Sequence, residues 1–262
     1  KRSLQMVRDA VAGAVEQGVD FSKYYVNGKV PNVIVYYAGC GEATGGDPNT
    51  IWPHERDLSI WAGGTMSKYQ FGSYFVGNEL NGTKTNNSLM GMGVLVHEFS
   101  HALGLPDFYC TDGSYEGNYA YGQWSVMELG PYTNNSYAPI GYTAYERSFM
   151  GWLDIKEIGD AETVTLSNPN DSEGQFAAMF RNPNDNNEYF IIENRQTGTW
   201  TYNYSGLMLH RFAYNASSFI SNTVNNNENY KRAMLVSASG AELGSTMRAT
   251  DLFGNGINNI SE

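Results

Sequence analysis

Residues 97–107 read HEFSHALGLPD, and the organisation of the first part of the chain turns on this stretch. His97 and His101 stand four apart, so on an α-helix they project from one face, one turn above the other. Two imidazoles at that spacing can grip one zinc ion, and Glu98 beside the first can take a proton from a zinc-bound water. Gly104 lets the chain turn sharply, and Asp107 can swing back as a third ligand. The pattern predicts a helix over 89–103, N-capped by Ser88 and ended by Gly104, with Pro106 beyond it. It points to zinc-dependent peptide hydrolysis.

A bare H-E-x-x-H also arises on amphipathic helices whose histidines are only solvated or packed. Two observations weigh against that here. The chain has four histidines, His54, His97, His101 and His210, and two of them fall at ligand spacing around a glutamate. The motif is also extended by Gly104 and Asp107, and followed downstream by WSVM at 124–127.

Composition narrows the remaining classes. A chain of 262 residues can bury a full core as one large domain or two smaller ones. The formal net charge of -11 argues against nucleic acid, whose phosphates call for Lys and Arg clusters absent from this sequence. No apolar run approaches the roughly 20 residues that span a bilayer. The opening KRSLQMVRDAV reads as an amphipathic helix rather than a signal peptide, with Leu4, Val7, Val11 and Val15 on one stripe. An upstream signal and propeptide are expected to precede it. Cys40 and Cys110 are the two cysteines; one disulfide, as in an exported protein, and two unrelated buried thiols are both open.

Along the chain, VPNVIVYYA at 30–38 is a dense β-branched and aromatic run, predicting a buried strand that ends at Gly39. Further strands are expected over 58–64 and 69–77, and a helix over 140–150. From about 152 the pattern changes to short strands (ETVTL, QFAAMF, EYFIIEN, GLMLHRF) separated by Asn, Asp and Gly turns. The Asn run 225–227 reads as a loop tip. The expected architecture is α+β, with a catalytic domain over 1–151 and a β-rich, sandwich-like domain over 152–262. Substrate peptides in such clefts add a strand to a sheet edge; the strand at 69–77 is the expected edge, with Ser73 its test position.

HEFSHALGLPD together with WSVMELG resembles the metzincin clan, and within it the immune inhibitor A-like family of secreted bacterial zinc metallopeptidases. The likeness extends to VDFS (19–22), YYAGCGEA (36–43), IWPH (51–54), GYTAYERSFMGWL (141–153), EYFIIENRQ (188–196) and GLMLH (206–210), and more weakly to Gly254. The resemblance implies a metzincin-like zincin domain with a twisted mixed sheet and an active-site helix. It also implies zinc on His97, His101 and Asp107, and Glu98 as general base. Met127 would be the Met-turn residue under the metal, and Tyr132 a group for the oxyanion or substrate. Peptide or protein substrates, a monomer, and a secreted or cell-surface location reached through an upstream segment are expected. The chain departs from the family pattern in YYVNGK, a turn without acidic side chains where an ion site would need them, and in Arg211 and Phe212 after GLMLH. Asp107 also stands where many metzincins place histidine.

The residues leave three alternatives open. Glu146 in TAYER is the rival third ligand of a glutamate-type zincin. A catalytically inactive relative that binds a protein or glycan is the rival function, although Glu98 and both histidines are intact. A structural zinc site is disfavoured, because neither cysteine lies on the motif helix. His54 and His210 read as structural hydrogen-bonding histidines, and calcium is a weaker expectation carried by Asp112 and Asp251.

Overall fold

A computed structural model describes residues 2–59, 64–159, 162–170, 174–198, 200 and 204–254. The chain divides into two compact units, Lys1–Leu103 and Gly104–Glu262; the composition shift near 152 falls inside the second.

The first unit opens with α1 (Arg2–Glu16), whose Val7 and Val11 are fully buried as the apolar stripe requires. Burying each such side chain contributes about 1.5–3 kcal/mol. The strands follow as β1 (Val30–Cys40), β2 (His54–Asp57), β3 (Thr65–Met66), β4 (Tyr69–Gly82) and β5 (Asn87–Leu89). β1 runs parallel to β4, and β2, β3 and β5 are antiparallel to it. Val7, Val11, Val30, Leu58, Met66, Phe71, Tyr74 and Val76 form the core of this unit.

β4 is buried over eight consecutive residues, Phe71 to Asn78. Such a run marks a central strand covered on both faces, and β4 lies between β1 and β2. The expected edge at 69–77 is therefore displaced: Ser73 is interior, and β2 is a terminal strand of the sheet. Of the strand expected over 58–64, residues 60–63 lie outside the described residues. Just past β2 the N–H of Leu58 continues the ladder to Gly72 O at 2.8 Å. Pairing alternates in an antiparallel ladder, so Glu55 and Asp57 turn their N–H groups away from β4.

The motif helix, α2, spans Gly93–Ala102, four residues shorter at its N-terminus than the expected start at 89. Ser88 is not its cap. It belongs to β5, where it pairs with Asn81, and sheet pairing there wins over a local capping signal. Gly104 ends the segment as expected, at φ +99, a conformation that a β-carbon disfavours.

The second unit begins with a loop-rich stretch containing 3₁₀ turns at Gly122–Trp124 and Gly130–Ser136. Helix α3 (Ala144–Phe149) follows, with a capping box between Thr143 and Glu146. The predicted helix at 140–150 is thus shortened by the cap. The remaining elements are β6 (Lys156–Glu157), β7 (Ala177–Asn182), β8 (Asp185–Arg195), β9 (Gly206–Ala213), α4 (Ala216–Ile220) and β10 (Ala233–Val236). They make one five-stranded sheet in the order β10-β9-β8-β7-β6, antiparallel except for β6 with β7. Among the described residues this is a single sheet rather than a sandwich, and ETVTL at 162–166 is not a strand. Tyr145 stacks on Phe212 with ring centroids 4.0 Å apart, joining α3 to the sheet.

The architecture is mixed α+β. Cys40 and Cys110 are free, half-buried thiols. Among the described residues no helix is long and apolar enough to cross a membrane.

Candidate metal centre

α2 carries His97 and His101 on one face, as their spacing dictates, with the two rings edge to face at 4.9 Å between centroids. One ligand atom from each of His97, His101 and Asp107 lies within 4.8 Å of the others. This is the one group of histidine, cysteine and carboxylate side chains among the described residues that gathers in that way. Two imidazoles and one carboxylate suit zinc with a position left open for water or substrate, so the donor set fits the metal that the spacing implied.

Glu98 is anchored from β2, where the main-chain N–H of Glu55 donates to Glu98 Oε2 at 2.8 Å. Neither partner lies in the other's element, so the sheet fixes where the helix carboxylate rests. The Glu55 side chain is itself an acid of the site. Burial lifts its carboxyl to about 7, while the Ser73 hydroxyl and the His101 imidazole pull it down. His54 is structural, as expected: Nδ1 meets Trp52 O at 2.7 Å and Nε2 meets the Tyr74 hydroxyl at 3.0 Å.

Asp107 is only 4% exposed. Its N–H donates to Asn222 Oδ1, and Asn222 Nδ2 donates back to Asp107 Oδ2, both at 2.7 Å. The next residue, Phe108, donates its N–H to Met127 O at 2.8 Å. Met127 is fully buried, and its own N–H reaches Ser125 Oγ at 2.9 Å. The Met127 segment is thereby laced to the chain that carries Asp107. Tyr132 is 54% exposed on the Gly130–Ser136 turn.

Glu146, the rival ligand, is wholly buried and committed elsewhere. Its Oε1 accepts from Ser125 Oγ and its Oε2 from Thr143 N, each at 2.6 Å. The suggested calcium oxygens are likewise occupied by protein donors. Asp251 accepts from Trp124 Nε1 and Arg248, and Asp112 Oδ1 from Cys110 Sγ and Ser114 N. His210 is structural too, fully buried with Nδ1 3.2 Å from the Tyr121 hydroxyl and Nε2 3.5 Å from Glu193 Oε2.

Three contributors escaped the sequence. Glu55 follows directly on IWPH but carries no signature of its own. Asn222 carries no signature either, and Asn225 opens the run 225–227 that reads as a loop tip. Asn225 is instead fully buried, donating to Phe108 O and Ala233 O and accepting from the N–H groups of Arg232 and Ala233. The loop-tip expectation is overturned there, because an amide that satisfies four backbone groups is part of the interior.

A family model described as the immune inhibitor A peptidase M6 catalytic domain matches residues 20–155, just over half of the chain. The chain belongs to that family. Immune inhibitor A of Bacillus thuringiensis subsp. alesti is 29% identical over 183 residues, covering 58% of this chain and 26% of that protein. Pre-pro-metalloprotease PrtV of Vibrio cholerae serotype O1 (strain M66-2) is 26% identical over 133 residues, covering 47% of this chain and 14% of the relative. The PrtV of strain ATCC 39315 / El Tor Inaba N16961 matches to the same extent. The chain therefore spans about a quarter or less of the length of these curated relatives. No solved structure gives a significant match.

Proposed function

We propose that this chain is the catalytic part of a zinc-dependent endopeptidase of metzincin-like architecture, exported from the cell and acting as a monomer on peptide or protein substrates. The observation that carries this reading is the gathering of His97, His101 and Asp107 to within 4.8 Å, with Glu98 held beside them. The family's catalytic-domain match and the metalloprotease name of PrtV support it.

In this reading His97, His101 and Asp107 hold the zinc. When bound, zinc acts as a Lewis acid on water and on the peptide carbonyl. Glu98 accepts the proton of the attacking water and delivers it to the leaving amine. The Glu55 N–H keeps that carboxylate at a fixed position between turnovers. Met127 supplies an apolar floor, and the exposed phenol of Tyr132 is the candidate donor to the developing oxyanion. A substrate strand lies along the open edge of β2, where main-chain hydrogen bonds give affinity largely independent of side chains. Catalysis is assigned to residues 1–151 and a supporting β-rich part to 152–262; the family match, which ends at 155, supports a division there.

The test is chelator-sensitive cleavage of a generic protein substrate, comparing wild type with Glu98→Ala at equal zinc loading. Cleavage by the wild type alone supports the reading. A zinc-loaded wild type that cleaves nothing, or an equally active variant, overturns it.

A further inference from the structure

We infer that Asn222 is a positioning residue for Asp107, so that the metal site of this chain is completed by a segment lying well outside the part that the family model matches. The inference rests on the zinc reading above and deepens it.

The geometry is reciprocal. One primary amide takes the Asp107 N–H on its oxygen and gives an N–H to Asp107 Oδ2, both at 2.7 Å. Holding one carboxylate oxygen and the main chain of the same residue fixes the plane of the carboxylate, and so the direction of its other oxygen. A neutral amide also satisfies that oxygen without bringing a competing charge to the carboxylate. Groups that orient a ligand in this way are commonly worth 10- to 100-fold in metal affinity, by the general rule for outer-shell partners.

Asn222 is built for the task by its own segment. It sits two residues beyond α4, at φ +56, in the left-handed region that asparagine tolerates better than most side chains. Its carbonyl accepts from Thr111 Oγ1 at 2.7 Å, and Asn226 Oδ1 accepts from Thr111 N at 2.9 Å. Asn225 reaches Phe108 O at 2.8 Å. Residues 222–226 thus grip 107–111 at several points, but Asn222 is the member whose side chain bonds the carboxylate ligand. Residues 222–226 also lie beyond residue 155, where the family match ends.

Full-length wild type, Asn222→Gly, Asn222→Asp and Thr111→Val would be compared for zinc affinity, by competition with a chromophoric chelator, and for melting temperature without metal. Glycine keeps the left-handed backbone and removes both side-chain bonds. Aspartate keeps the volume but replaces the donor with a second carboxylate. Thr111→Val removes the hydroxyl bonds to the Asn222 carbonyl and to Asn226, loosening the same loop while leaving both side-chain bonds between Asn222 and Asp107 in place. We expect both Asn222 variants to weaken zinc binding about 10-fold or more, with Thr111→Val within about threefold of wild type and a comparable fall in melting temperature. Wild-type affinity in the Asn222 variants would overturn the inference, as would an equal loss in Thr111→Val, which would make loop order the cause. If Asn222→Gly does not fold, Asn222→Asp decides alone. A wild type that binds no zinc would instead overturn the zinc reading itself.

Discussion

Glu193 and Arg195 form an ion pair in which neither partner is more than 4% exposed, with Arg195 Nη1 3.0 Å from Glu193 Oε1. They stand two apart on β8 and tie that strand to the first residue of α3 and the segment before it. Glu193 accepts from Ala144 N, and Arg195 donates to Tyr142 O at 3.2 Å and to Gly141 O at 2.6 Å. Burial opposes the charge on Glu193, but Arg195 and His210 outweigh it and hold the carboxyl down at about 2. Its folded value thus lies below the ordinary 4.5. The pair's contribution is complete above about 4.5 and is lost as pH falls towards about 2. Denaturant midpoints measured across that window should fall with acid in the wild type and fall less in Glu193→Gln. Removing one partner strands the other, so Arg195→Met should cost about 3–5 kcal/mol at neutral pH.

Glu128 titrates with the opposite sign. It is 4% exposed, and burial raises its carboxyl to about 7 even though Tyr121, Gly122 and Ala120 donate their N–H groups to it. A folded value above the ordinary 4.5 means that the native state binds more protons than the unfolded one between 4.5 and about 7. Stability should therefore decline as pH rises through that interval. Glu128→Gln should remove this component of the slope whatever its effect on absolute stability, and urea titrations at pH 5, 6 and 7 check it.

Zinc should stabilise as well as activate. Metal that binds only the folded chain adds about 2.7 kcal/mol at a free concentration of 100 times its dissociation constant. Chelation should lower the melting temperature of the wild type, and added zinc should restore it. In His101→Ala the same additions should leave the melting temperature almost unmoved.

The open edge of β2 makes a separable prediction about substrate. Asp57 turns its N–H away from β4, so proline there leaves the inner ladder intact, as proline on an edge strand does. Asp57→Pro should raise KM about fivefold, the worth of one main-chain hydrogen bond, with zinc affinity unchanged. An unaltered KM in a folded, metal-loaded variant would remove β2 as the docking strand.

What the sequence disclosed was what short range determines. His97, Glu98, His101 and Gly104 are related by helix geometry, and the roles proposed for them can be read within one turn and its ending. The strand at β1 and those at β7 to β9 follow from runs of β-branched and aromatic residues. Ser88 was misplaced because a capping residue and a strand residue look alike until the partner, Asn81, is known. The edge was assigned to β4 because a strand's neighbours are not written in its own residues. Asn222 was unreadable for the same reason: its bonds to Asp107 bridge 115 residues, and no local pattern records such a pairing.

The Glu55–Glu98 contact has a consequence for occupancy. Glu55 and Asp57 carry the outward N–H groups of β2, and the first of them is already bound to Glu98. A strong hydrogen bond from one N–H serves one acceptor. A carbonyl laid against the strand at Glu55 therefore displaces the carboxylate, and one laid against Asp57 alone does not. The rung that a ligand takes decides whether Glu98 keeps its tether, so two ligands of equal affinity can leave that carboxylate in different states.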